Sequence, residues 1–170
     1  DVDAEAGKTA SDELKALIAN VNKMLATPYH ANDAATTAES CAAPLLAAVD
    51  AAEAVMEAST SATAISESMA KLNEEVLAFL ALVSPSDMAQ PFDLSFFLIN
   101  ASLDGGCTGW STNATFNYSL CEFYQSSFDF NQTTTQKMPI GTYEMRVQAF
   151  QRPGAWETTY NDYVVGGKNN

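Results

Sequence analysis

The residues whose types suit molecular recognition crowd into the last twenty positions of the sequence. Arg152, Trp156, Tyr160, Asn161, Asp162 and Tyr163 share one stretch that follows an alternating segment. An aromatic ring stacks on the apolar side of a pyranose, while guanidinium, carboxylate and amide groups read its hydroxyls. Loops carried on a rigid scaffold are where such sets work. Trp156, Arg152, Tyr160 and Asp162 are therefore the candidate ligand-binding residues. Packing of Trp156 and Tyr160 onto an underlying sheet is the competing use. Trp110, which follows Gly109, reads as core.

Catalytic chemistry finds less support. Glycoside hydrolysis needs two carboxyl groups about 5–10 Å apart. Asp104, Glu122, Asp129, Glu144, Glu157 and Asp162 offer pairs, but none lies in a recognisable motif. The sole histidine, His30, stands in the first half, follows a helix stop and has no ligand partner at metal-binding spacing. No HExxH, CxxC, P-loop or GxGxxG sequence occurs. The chain reads as a non-enzyme. Three cysteines permit at most one internal disulfide. Cys107 and Cys121 share a β-rich stretch and could pair, whereas Cys41 stands alone in a helical one. Asn100, Asn113, Asn117 and Asn131 each open an N-x-[ST] sequon, the pattern of a secreted N-glycosylated protein.

Two unlike halves must position these residues. Residues 1–83 are rich in alanine and poor in aromatics; residues 84–170 hold both tryptophans and most of the aromatic content. The break crosses Ser84-Pro85-Ser86 and marks the expected domains, 1–83 and 84–170. The formal net charge is −13, and residues 1–83 carry 13 acidic against 4 basic groups. Such an anionic chain is repelled by phosphate backbones and anionic lipid, so nucleic-acid binding is excluded as an expectation. No run reaches the roughly 20 apolar residues of a membrane span, and Asp1-Val2-Asp3-Ala4-Glu5 does not resemble a signal peptide. An exported protein would have had its signal or lipid anchor removed.

Leu14, Leu17, Ile18, Val21, Met24 and Leu25 lie at helical spacing and predict a helix over 11–26, capped by Thr9 or Ser11 and stopped by Thr27-Pro28. A second helix is expected over about 37–57, with Pro44 in its first turn and Ser40 as a possible start. A third runs over 62–82 through Ile65, Met69, Leu72, Val76, Leu77 and Leu80 after a Ser59-Thr60-Ser61 cap. Together they predict an antiparallel three-helix bundle. Beyond Pro91 the apolar period becomes two. Leu94–Ile99 reads as a buried strand, Phe128 to Thr135 as a second, and Tyr143, Met145, Val147 and Ala149 as one face of a half-buried third. The fold class is segregated α+β, a bundle followed by an antiparallel β-sandwich.

Two stretches carry a resemblance. Asn100-Ala-Ser-Leu-Asp-Gly-Gly-Cys-Thr-Gly-Trp110 resembles the opening of galactose-binding-like jelly rolls. Phe128 to Thr133 with Met138 to Gly154 is similar to a paired-strand segment of Bacteroidetes surface proteins. The alanine-rich half resembles the FIVAR-like spacer bundles beside such modules. The resemblance implies an exported carbohydrate-binding module at the outer cell surface, with glycan or another surface protein as partner. It also implies a structural calcium at Asp104; the alternative there is an ordinary Asp-Gly turn. Jelly rolls use about eight strands and only four or five are evident, so the sandwich reads as incomplete at its C-terminus. A missing segment or a partner strand would complete it, and a structural or assembly protein without a small ligand is the second reading.

Overall fold

The computed structural model describes residues 2–58, 61–117, 120–123, 127–134, 136–149 and 161. It contains three helices and several short antiparallel strands, a mixed α+β architecture. The chain divides into two compact units, Asp1–Pro139 and Ile140–Asn170.

Helix α1 spans Val2–Leu25. It starts well before the expected Thr9 or Ser11 cap: Ala4, Glu5, Ala6 and Lys8 are good helix formers, no proline interrupts them, and Gly7 is tolerated within the turn. Helix α2 spans Ala38–Ala58. Thr37 and Ser40 hold its first turn reciprocally: the Ser40 amide donates to Thr37 Oγ1 at 3.1 Å, and the Thr37 amide donates to Ser40 Oγ at 3.2 Å. This is a capping box with serine in the place of the usual glutamate. Pro44 consequently falls in the second turn, not the first as expected. It deprives the Ser40 carbonyl of a helical donor, a tolerable loss because Ser40 and Pro44 both face solvent. Helix α3 occupies Ala62–Leu82 behind Ser61, whose side chain accepts from the Ala64 amide.

The three helices share one core: Leu14, Val21 and Met24 of α1, Leu45, Val49 and Ala52 of α2, and Ile65, Leu72, Val76 and Phe79 of α3 are all buried. Two three-residue strands clasp this core. β1, Tyr29–Ala31, pairs antiparallel with β2, Val83–Pro85, setting His30 opposite Ser84. The clasp is lengthened by the Asn32 amide on the Leu82 carbonyl and the Ser86 amide on the Pro28 carbonyl, each 2.8 Å. His30 is exposed on this ladder. Packing therefore runs across the compositional break at residues 83 and 84.

The apolar run expected to form a strand at 94–99 has a different use. Ser95–Phe97 is a 3₁₀ turn, and Phe92, Leu94, Phe96 and Phe97 lie partly buried against the helical core. A run of adjacent apolar residues, with no alternation to give it one buried face, is better spent covering apolar helix surface. Asp93 starts the turn, accepting from the Ser95 hydroxyl at 2.6 Å, the Ser95 amide at 3.1 Å and Lys23 Nζ at 2.9 Å. These bonds, the Ser95 hydroxyl foremost and Lys23 next, hold the Asp93 carboxyl down at about 2. Because the folded value lies below the ordinary aspartate value of about 3.9, the stabilisation is present above that pH and is lost as pH falls toward 2. A carboxyl NMR titration should find the Asp93 midpoint near 2, and Lys23→Ala should raise it. An ordinary midpoint in the wild-type chain would refute the contact.

The remaining described strands are small. β3, Ser111–Thr112, pairs with β6, Phe130–Asn131; β4, Thr115–Asn117, pairs with β5, Leu120–Glu122. Among the described residues these are separate two-stranded ladders, not the broad sheets expected of a jelly roll. The strand expected from Phe128 to Thr135 is reduced to Phe130–Asn131. The expected half-buried strand at 143–149 is neither: among the described residues, 142–149 join no ladder, and they are exposed.

Candidate functional site

The segment from Ile99 to Gln132 is fastened by side-chain amides where longer strands are lacking. Asn100 takes a positive φ of 51°, a conformation asparagine tolerates better than most residues. Its Nδ2 donates to the Gly106 carbonyl at 2.8 Å and the Thr108 carbonyl at 3.3 Å, and its Oδ1 accepts from the Gly105 amide at 3.2 Å. Gln132 clamps the same loop from outside. Its Nε2 donates to the carbonyls of Ile99 at 3.0 Å and Gly109 at 2.8 Å, while its Oε1 accepts from the Ile99 amide at 2.9 Å. Asn113 does likewise, donating to the Ser127 carbonyl at 2.7 Å and accepting from the Asp129 amide at 3.1 Å. A primary carboxamide presents one acceptor and two donors, so each of these side chains stands in for a piece of strand.

A disulfide joins Cys107 of the loop to Cys121 of β5. Across the β4–β5 ladder Cys121 faces Phe116, whose ring lies against Gly106. A Cβ on Gly106 would stand 3.2 Å from that ring, and one on Gly109 would strike Ile99 Cγ2 at 2.5 Å; both glycines also have positive φ. Gly106 and Gly109 are thus required by close approach as well as by turning.

On this scaffold lies an aromatic cluster. Trp110 stacks on Phe130 with centroids 4.5 Å apart, and Trp110 Nε1 donates to the Asn100 carbonyl at 3.2 Å. Phe123 meets Phe130 edge-on at 6.3 Å and Phe128 at 4.5 Å. Trp110 is half-buried, in keeping with a packing role, whereas Phe128 is 75% exposed. Asp129 follows it and accepts a 2.9 Å hydrogen bond from Asn131 Nδ2. Phe128 is the recognition-type residue that the sequence reading used only as strand.

The other sequence-derived candidates fare differently. Trp156, Arg152, Tyr160 and Asp162 lie outside the described residues. Asp104 is exposed on the loop, its amide facing Ser102 Oγ at 3.5 Å. Among the described residues no three His, Cys, Asp or Glu side chains gather as metal ligands. Of the sequon asparagines, Asn100, Asn113 and Asn131 spend Nδ2 on hydrogen bonds within the fold. Asn100 uses both of its amide hydrogens, so a glycan there would break one of those bonds. Among the described residues no helix is long and apolar enough to cross a membrane. Compared with known proteins, the chain matches no family model, no curated protein and no solved structure.

Proposed function

We propose that this chain is a non-catalytic recognition protein of the outer cell surface, with the helices as spacer and the disulfide-fastened segment presenting an aromatic face to glycan. The observation that carries this reading is Phe128, an exposed ring backed by Phe123 on a scaffold whose loops are tied by a disulfide and by carboxamide clamps. Preorganised aromatic surface suits a weakly hydrated sugar face. The Cys107–Cys121 bond favours export, since structural disulfides persist in oxidising compartments. The excess of acid suits a solvated surface protein and disfavours polyanionic ligands. The resemblance to galactose-binding-like modules supplies the ligand class, and a calcium at Asp104 belongs to that resemblance alone.

Calorimetric titration against a panel of neutral oligosaccharides tests the reading. At least one sugar should bind at millimolar concentration or below and be recovered intact. Phe128→Ala should weaken it by about tenfold or more, the loss of one stacking anchor, with the helical circular dichroism unchanged. Trp156→Ala, measured alongside, decides whether the 152–163 stretch shares the site. If every sugar fails at millimolar concentration, the glycan reading is lost.

A further inference from the structure

Residues 141–149 carry a strand pattern that joins no ladder among the described residues. Met145 and Val147 are 67% and 66% exposed and Tyr143 is 51% exposed. The Tyr143 ring lies beside the position a Gly141 Cβ would take, about 3.6 Å away, and Arg146 Nε donates to Glu144 Oε1 at 2.8 Å. Neighbours two apart in sequence thus meet, and residues two apart share a face wherever such a segment is extended. One face carries Tyr143, Met145 and Val147; the other carries Glu144, Arg146 and Gln148. Exposed apolar strands of this kind template pairing with another chain.

The order of charges says which chain. We propose that this segment pairs antiparallel with the same segment of a second copy, about a two-fold axis through Met145. In that register Tyr143 faces Val147 of the other copy, Glu144 faces Arg146, and Thr142 faces Gln148. The Glu144–Arg146 ion pair is made twice by symmetry, and Tyr143, Met145 and Val147 each meet an apolar residue. Adjacent registers fail. A shift centred on Glu144 or on Arg146 sets two like charges opposite each other, which destabilises a ladder. An odd shift turns apolar residues against polar ones, because opposed side chains must share a face. Of the two-fold registers, only this one sets Glu144 against Arg146. This goes beyond glycan recognition and does not depend on it.

Sedimentation velocity on the full 170-residue chain, over a hundredfold range of concentration, tests the pairing. A monomer–dimer equilibrium is expected. Glu144→Arg alone sets Arg against Arg146, and Arg146→Glu alone sets Glu against Glu144; each should weaken the dimer by roughly tenfold through two lost and two repulsive cross-strand pairs. The double exchange Glu144→Arg with Arg146→Glu restores opposite charges and should restore the dimer. These side chains are exposed, so helical circular dichroism should be the same in all four proteins. A chain monomeric throughout, a dimer indifferent to the single exchanges, or a double exchange as weak as the singles would each overturn the proposal.

Discussion

Replacing Phe79 with alanine should lower the unfolding free energy of the chain by about 3–5 kcal/mol, the usual cost of emptying a buried phenylalanine site. Phe79 is 1% exposed and stands at a three-way junction. Its ring meets Tyr29 of β1 edge-on at 5.0 Å and lies 6.0 Å from Phe92, which is itself 6.3 Å from Tyr29. Helix, clasp and the segment after the clasp therefore share one aromatic contact. Domains of this size are stable by only about 5–15 kcal/mol, so the loss is a large fraction of the whole. Urea unfolding followed by far-ultraviolet circular dichroism measures it. Leu82→Ala, on a side chain 49% exposed, should cost well under 1 kcal/mol. Phe92→Ala should also destabilise, and the double variant should cost less than the two singles added, because the residues share a cavity. Strict additivity would mean that Phe92 is not part of the helical core, and a loss below about 1 kcal/mol for Phe79→Ala would remove the junction altogether.

That junction also separates what the sequence made legible from what it did not. Helical period is local: the stripe through Ile65, Leu72 and Val76 names its own face, and α3 was expected and found over 62–82. Phe79 escaped the stripe drawn through Val76, Leu77 and Leu80, although it continues the line from Leu72 and Val76 toward buried Val83. The β1–β2 clasp left no trace, since three residues carry no measurable period and Tyr29 meets Pro85 only across the whole of two helices. Apolar pattern misled at both ends of the aromatic half. At 94–97 the apolar residues cover helix surface, and at 143–149 a true alternation joins no ladder among the described residues. The amide clamps were the least visible of all. Nothing in the type of Asn100 or Gln132 distinguishes a side chain that bonds backbone from one that bonds water, and a sequon in front of Ala101-Ser102 drew the reading toward modification.

Asn100→Ala should open the loop from Ile99 to Trp110 while leaving the helical core intact. The substitution removes three hydrogen bonds, leaving the Gly106 carbonyl without its partner in part-buried surroundings and the exposed Thr108 carbonyl and Gly105 amide to water. Each such bond contributes about 0.5–1.5 kcal/mol net, and unsatisfied partners cost more, so a local loss of about 2–4 kcal/mol is expected. Alanine adds strain at the positive φ of 51°, on the order of 1 kcal/mol. Asn100→Gly removes that strain but not the lost bonds, so it should recover only that part. Asn100→Asp keeps an acceptor for Gly105 yet turns an oxygen toward two carbonyls, and should be no better than alanine. Hydrogen exchange at the Gly105 amide reads the opening directly: about 3 kcal/mol corresponds to roughly a hundredfold faster exchange in the alanine variant. Trp110 reports independently, because its indole donates to the Asn100 carbonyl and stacks on Phe130, so its fluorescence should shift as the loop opens. If glycine fully restores slow exchange, the backbone angle alone shapes this loop and the carboxamide clamp has no part in it. If neither variant moves the Gly105 amide, the disulfide alone holds the segment, and reducing Cys107–Cys121 becomes the step that releases it.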